Sequence, residues 1–223
     1  MQPVSLRFAS AGTEPTSTGS HSYFAFFSVL VDNLAFDKQV SILAHDSTGW
    51  NFHTCLFSVS TPDNGEIWTA QLGSPAIDQF VVEYQVPGQT FWDNNGAANY
   101  LLDIVAAESK DGTNTVALNA NVLVQQYFAD STGTLGVSVL LRDLNFTKQV
   151  GLVYTTDSWA TFHTVSGLFQ DRYPPFGHPS QPNAESWHIA APVGIGQHGQ
   201  FAVFYSVNGT TFWDNNFGSN YSF

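Results

Sequence analysis

Apolar residues in this chain fall in short runs set against turn residues, and they never recur at a sustained helical spacing. Tyr23 to Val31 and Gln39 to Ala44 are short, rich in aromatic and β-branched residues, and bounded by turn formers. The segments Gly136 to Leu141 and Gln149 to Thr155 have the same character. Farther on, Phe80 to Val86 runs into Pro87-Gly88 and then Thr90-Phe91, while Phe201 to Val207 runs into Asn208-Gly209 and then Thr211-Phe212. Asn-Gly between two apolar runs is a strong hairpin signal, and Pro-Gly marks a tight turn at the matching place. No segment combines a 3.6-residue period with helix caps. The pattern predicts an all-β chain of short antiparallel strands, folded as one β-sandwich in each half.

The halves are copies. Thr90 to Tyr100 reads TFWDNNGAANY and Thr211 to Tyr221 reads TFWDNNFGSNY, identical at eight of eleven positions and separated by 121 residues. That period is too long for a solenoid repeat and suits a whole domain. Upstream, Ala35 to Val40 matches Asn145 to Val150, and Phe52-His53-Thr54 matches Phe162-His163-Thr164, at an offset of 110. The offset grows before Trp187, the match of Trp68, so Asp171 to Asn183, with its four prolines, reads as a surface insertion. The copies are expected at 1–108 and 113–223, joined by a polar linker from Ala107 to Thr113.

Composition narrows the chemistry. The single cysteine, Cys55, excludes an internal disulfide framework, and no Cys/His spacing suits zinc. The seven histidines form no close pairs, so structural roles are expected for them, and no metal or other cofactor is called for. The N-terminal residues lack a secretory pattern and no run is long enough to span a bilayer, which predicts a cytoplasmic chain without membrane insertion. A net charge of -12 with no basic patch argues against nucleic acid and anionic membrane as partners. With 15% aromatic residues against 11% charged ones, a neutral ligand fits best.

The repeated F-W-D-N-N, followed three residues later by N-Y and preceded by a strand, a turn and a Lys-x-Val segment, resembles carbohydrate-binding module family 21. That family includes starch-binding domains of fungal glucoamylases and glycogen-binding domains of phosphatase-targeting subunits. The second copy carries the fuller pattern, with Phe146, Lys148 and Val150, then Asp157-Ser158-Trp159, then Trp213 to Asn216 and Asn220-Tyr221. In the first copy Asp46 lies four residues before Trp50, so the D-x-W spacing is missing there. The resemblance implies two tandem immunoglobulin-like antiparallel β-sandwich modules that bind glycan, α-glucans such as starch or glycogen among them, without catalysis. It implies stacking aromatics at Trp50 with Trp92 and at Trp159 with Trp213, and hydrogen-bonding amides at Asn95, Asn99, Asn216 and Asn220. A second site would fall at Phe36 beside Lys38 and at Phe146 beside Lys148, where phenylalanine keeps a ring but lacks the hydroxyl of the family's tyrosine.

These residue types suit a sugar. A pyranose presents an apolar C–H face that an indole can cover, and a rim of hydroxyls that asparagine can both donate to and accept from. In an alternating strand Phe91 and Trp92 point to opposite faces, so one of them is exposed. Asp93 and Asp214 are expected to cap a turn, Trp68 and Trp187 to lie in the core, and Asn99 and Asn220 suit a turn as well as a ligand. A free-standing two-module lectin is the first reading of function, with oligomerisation left open. The alternatives are a glycogen-targeting regulatory subunit and a lectin for other sugars such as galactosides. No basic residue opens a good phosphatase-docking sequence, and a glycosidase, which needs two carboxylates across a cleft, ranks last.

Overall fold

The computed structural model describes residues 2–73, 76–102, 112–173 and 183–223. Most of the expected linker, Ala107 to Thr113, and most of the expected insertion, Asp171 to Asn183, lie outside the described residues. All strand pairs are antiparallel, and no helix occurs among the described residues, as the apolar pattern predicts. The chain divides into two compact units, with the break between Asn119 and Ala120.

In the first unit, strands β1 (Val4–Pro15), β2 (His21–Asp32), β5 (Leu56–Ser60), β6 (Gly65–Leu72) and β10 (Gly112–Leu118) form one sheet, ordered β10-β1-β2-β6-β5. A second sheet runs β4-β3-β7-β8 through β3 (Gln39–Asp46), β4 (Gly49–Thr54), β7 (Gln79–Val86) and β8 (Gln89–Asp93), with β9 (Tyr100–Leu101) also on β7. Alternate side chains meet in a shared core: Ala25, Phe27, Val29 and Val31 from β2, Val40, Ile42 and Ala44 from β3, and Phe80, Val82 and Tyr84 from β7. A period of two is what a strand with one buried face requires.

The second unit repeats the plan. Strands β11 (Val122–Ala129), β12 (Thr134–Arg142), β15 (Leu168–Tyr173) and β16 (Ala184–Pro192) form a sheet ordered β11-β12-β16-β15. Its partner runs β14-β13-β17-β18 through β13 (Lys148–Thr155), β14 (His163–Ser166), β17 (Gln200–Val207) and β18 (Thr210–Asp214), with β19 (Tyr221–Ser222) on β17. Leu135, Val137, Val139 and Leu141 of β12 share a core with Phe201, Val203, Tyr205 and Val207 of β17. Both predicted hairpins form. Gly88 has φ 78 in the Pro-Gly turn, and Asn208 and Gly209 both have positive φ, at 52 and 75, as a type I′ turn demands.

Strand β10 departs from the expected division. It falls in the range assigned to the second copy, yet it pairs with β1 from Phe8↔Leu118 to Thr13↔Gly112. The outer edge of β1 would otherwise present unpaired backbone groups, and β10 supplies their partners.

One carboxylate in each unit ties the two sheets together. A β-bulge interrupts β1 between Leu6 and Phe8, and the Leu6 amide donates to Asp93 Oδ2 on β8 at 2.6 Å. Tyr100 donates its hydroxyl to the same carboxylate, at 3.0 and 2.9 Å. The second unit reproduces this arrangement: β11 bulges between Val124 and Gln126, Val124 donates to Asp214 Oδ2 at 2.6 Å, and Tyr221 donates to Oδ1 at 2.8 Å. Asp93 and Asp214 thus accept from a strand of the opposite sheet as well as from the turn that follows them.

Lysine ammonium groups are used internally as well. Lys148 reaches Glu185 Oε2 at 2.8 Å with its side chain 4% exposed, and it also pairs with Asp143; Arg172 bridges Asp143 and Glu185 at 2.9 and 3.0 Å. Burial alone would raise the Glu185 pKa, but hydrogen bonds from Lys148, Trp187 and Arg172 outweigh it and hold the group below its ordinary value. In the first unit Lys38 donates to Glu66 at 2.8 Å and also to Asn33.

Two outcomes follow. Asp214→Ala removes the acceptor of the Val124 amide and of one Tyr221 hydrogen bond, and should lower stability by about 3 kcal/mol in urea denaturation, with Asp93→Ala doing the same in the first unit. Lys148→Met removes the buried cation and leaves Asp143 and Glu185 to share the half-exposed Arg172, at a cost of about 3 kcal/mol near neutral pH. Because the Glu185 pKa is lowered on folding, its contribution is complete above the unfolded value of 4.5 and fades as pH falls through the folded one. The gap in urea midpoint between wild type and Lys148→Met should therefore narrow below about pH 4.5.

Candidate functional site

The repeated W-D-N-N segments end strands β8 and β18, directly after the two hairpins. Strand alternation turns Phe91 and Phe212 onto the cores, and the neighbouring indoles outward, with Trp92 38% and Trp213 52% exposed. Cross-strand contacts set their surroundings: Trp92 stands opposite Glu83, whereas Trp213 packs on Phe204 with ring centroids 5.7 Å apart.

Each indole borders an open hollow. In the first unit a cavity of about 370 Å³ is lined by Leu43, Trp50, Val81, Trp92, Asn94 and Asn99. Its counterpart in the second unit measures about 310 Å³ and is lined by Val153, Trp159, Ala202, Trp213, Asn215 and Asn220. The expected pairs Trp50 with Trp92 and Trp159 with Trp213 are thus brought together, with Asn99 and Asn220 beside them. Aliphatic side chains complete an apolar lining, and the amides provide the polar part.

Asn95 and Asn216 stand elsewhere. Each occupies the left-handed region, at φ 53 and 51, and donates its side-chain amide to the carbonyl of Asn99 or Asn220, at 2.9 and 3.1 Å. Their backbone amides donate to Asp93 and Asp214. They brace the loop, while their neighbours Asn94 and Asn215 line the hollow, each also accepting a loop amide (from Ala97 or Gly218) at 3.0 Å. Asn99 and Asn220 do both jobs: at φ 55 and 57 they take a conformation asparagine tolerates, and they still border the cavity. The sequence signal that could have favoured Asn94 was strand alternation, continued one residue past Asp93.

The second aromatic is mounted differently in the two units. Trp50 lies on β4, paired with His45 of β3, and its ring meets the His45 ring edge-on at 5.2 Å. In the preceding turn Asp46 accepts the hydroxyl and the amide of Thr48, at 2.6 and 2.7 Å, and these bonds lower its pKa. Trp159 sits in a loop outside any strand. Asp157 accepts the Thr161 amide at 2.9 Å, then the Thr161 and Thr155 hydroxyls, both at 2.7 Å, which together pull its pKa down to about 2. The D-x-W spacing of the second copy thus belongs to a loop built around one carboxylate, whereas the first copy uses a strand.

Lys38 and Lys148 do not join the residues expected beside them. Their side chains are 5% and 4% exposed and are committed to buried acids. Phe36 and Phe146 are almost wholly exposed, at 99% and 89%. Their loops are anchored from below by Tyr84 and Tyr205, whose hydroxyls donate to the carbonyls of Asp32 and Arg142 at 2.7 and 3.0 Å. Burial pushes both phenols above their usual pKa. Trp68 and Trp187 pack against the cores and donate their indole N–H to Glu66 and Glu185, at 2.9 and 3.0 Å, consistent with the structural role expected for them.

Comparison with known proteins bears on these features. Glucoamylase 1 of Rhizopus oryzae is 37% identical over 78 residues, which is 32% of this chain and 13% of that enzyme. Glycogen-binding subunit 76A of Drosophila melanogaster is 30% identical over 100 residues, 40% of this chain and 13% of that protein. The human protein phosphatase 1 regulatory subunit 3E is 33% identical over 92 residues, 40% of this chain and 32% of that subunit. The chain therefore spans a minor part of each of these relatives. Among solved structures, the starch-binding domain of Rhizopus oryzae glucoamylase in complex with β-cyclodextrin and maltoheptaose aligns at 27% identity and a TM-score of 0.37, covering 46% of this chain and 94% of that one. Residues 113–223 match the family described as carbohydrate/starch-binding module, family 21. The chain thus carries a family 21 carbohydrate-binding module over its second half, with Trp159, Trp213 and Asn220 within it.

Proposed function

We propose that the whole chain is a non-catalytic, lectin-like protein made of two tandem immunoglobulin-like β-sandwich modules, each binding glycan in the hollow beside its repeated tryptophan. The observation that carries this reading is the recurrence of one lining in both units: two indoles, two asparagines and two aliphatic residues in matching places. Such a lining suits a neutral pyranose, with indole against the C–H face and amide against the hydroxyls. α-Glucan is the first candidate ligand, because the relatives include a glucoamylase and a glycogen-binding subunit. Phe36 and Phe146 are a candidate second contact, acting by stacking alone, since the adjacent lysines are occupied.

A glycogen-targeting role is the second reading. It is favoured by the similarity to phosphatase 1 regulatory subunits, and it would add a protein partner to the polysaccharide.

Covering one sugar face with one indole buries about 50 Å² of apolar surface, worth roughly 1–1.5 kcal/mol. Trp213→Ala should therefore weaken maltoheptaose binding at the second hollow about tenfold, measured by calorimetry in a Trp92→Ala background, with the melting temperature unchanged. Normal binding by that protein would remove Trp213 from the site. Two hollows on one chain also predict cross-linking. The intact protein should precipitate glycogen, while Trp92→Ala and Trp213→Ala should each bind it without precipitating it. Turbidity equal to wild type from either variant would show that bridging arises elsewhere.

A further inference from the structure

Gln79 of β7 and Gln200 of β17 hold matching places. Gln79 pairs in register with His45 and Leu101, and Gln200 with Thr155 and Ser222. Their carboxamides nonetheless serve different residues. Gln200 Oε1 accepts the indole N–H of Trp159 at 2.7 Å, whereas Gln79 Oε1 accepts the side-chain amide of Asn99 at 3.0 Å. The same strand position thus grips the aromatic in one hollow and the amide in the other.

The grip on Trp159 has a physical motive. Ser158 and Trp159 both lie in the left-handed region, at φ 58 and 69, where a residue with a Cβ costs about 1–2 kcal/mol. Strain of this kind persists only when surrounding contacts over-determine it, and it clusters at binding sites. The Thr155 hydroxyl accepts the Trp159 amide at 3.0 Å, and the Asp157 carboxylate holds Thr161 beyond it. Those bonds fix the loop backbone and leave the two side-chain torsions of Trp159 free. The Gln200 bond acts on the ring itself. In the first unit Trp50 stands on a strand against His45, so ring placement there follows from the β-ladder.

We propose that Gln200 is a positioning residue that fixes the plane of the Trp159 indole for stacking on a sugar face, and that Gln79 instead pre-sets the amide of Asn99. The proposal rests on the glycan reading of the hollows. The two sites then differ in which half of the recognition is rigid. The second offers a locked ring, with its indole N–H already satisfied and turned away from ligand hydroxyls. The first offers a locked amide, with one N–H given to Gln79 and its orientation fixed for bonds to hydroxyls.

The test uses the full chain carrying Trp92→Ala, so that the second hollow reports alone, with β-cyclodextrin as probe. Gln200→Ala should shift the Trp159 indole N–H resonance upfield and speed its exchange with solvent. It should also weaken β-cyclodextrin binding about three- to tenfold, the worth of one hydrogen bond. Gln200→Glu keeps an acceptor at the same place and should restore both the resonance and the affinity. A Gln200→Ala protein with unchanged indole exchange, or with affinity within twofold of its parent, overturns the proposal. If the parent binds no β-cyclodextrin while the indole signal still responds to Gln200→Ala, the fixed ring stands and the α-glucan reading falls.

Discussion

A carboxylate that accepts hydrogen bonds from two directions organises each unit. Asp93 and Asp214 end the strands that carry the outward tryptophans, and each takes an amide from the bulged strand of the opposite sheet. The bulge leaves that amide outside the regular ladder, so the carboxylate and the bulge require each other. The same oxygens hold the tyrosine that closes the following loop and the amide of the asparagine that turns it. Indole, loop asparagines and sheet spacing are therefore set by one charged group. This explains why the acid recurs between tryptophan and asparagine in both copies without lining either hollow.

Much of this was legible in the sequence, because the signals were local. Strands followed from a period of two, hairpins from Pro87-Gly88 and Asn208-Gly209, and alternation required that one of Phe91 and Trp92 face outward. The duplicated segment also held Trp92, Asn99, Trp213 and Asn220, which border the hollows, with Trp50 and Trp159 added by resemblance. What escaped depended on contacts far apart in sequence or on a single step of register. Asn94 and Asn95 are indistinguishable as residue types, and only the left-handed backbone at Asn95 turns it inward to brace the loop. Lys38 and Lys148 are expected beside Phe36 and Phe146 until Glu66 and Glu185, 28 and 37 residues away, are seen to claim them. Gln79 and Gln200 carry no motif at all, and their roles emerge only from what stands beside them.

The two hollows show how a duplicated surface can diverge while its frame is preserved. Apart from β10, which has no counterpart, the strand orders, the bulges, the acids that accept from them and the tyrosines correspond in the two units, since each is coupled to several others. The mounts of Trp50 and Trp159 are not so constrained: a strand serves in one unit and a strained loop in the other. Energetically, a neutral ligand held by two rings and a few amides draws on small, separable contributions. A site of that kind tolerates changes in how each contribution is held.

The pairing of β10 with β1 gives the chain an order of assembly. Chains fold during synthesis from the N-terminus onward, and a unit closes once its last strand has emerged. By repeat boundaries the first copy ends before residue 110, but the outer edge of its sheet stays open until Leu118 is available. A ribosome pausing in that interval would hold a nearly finished unit with a bare strand edge, the form most prone to join a neighbouring nascent chain. The strand that follows the first repeat thus acts as the closing step of the first unit's sheet.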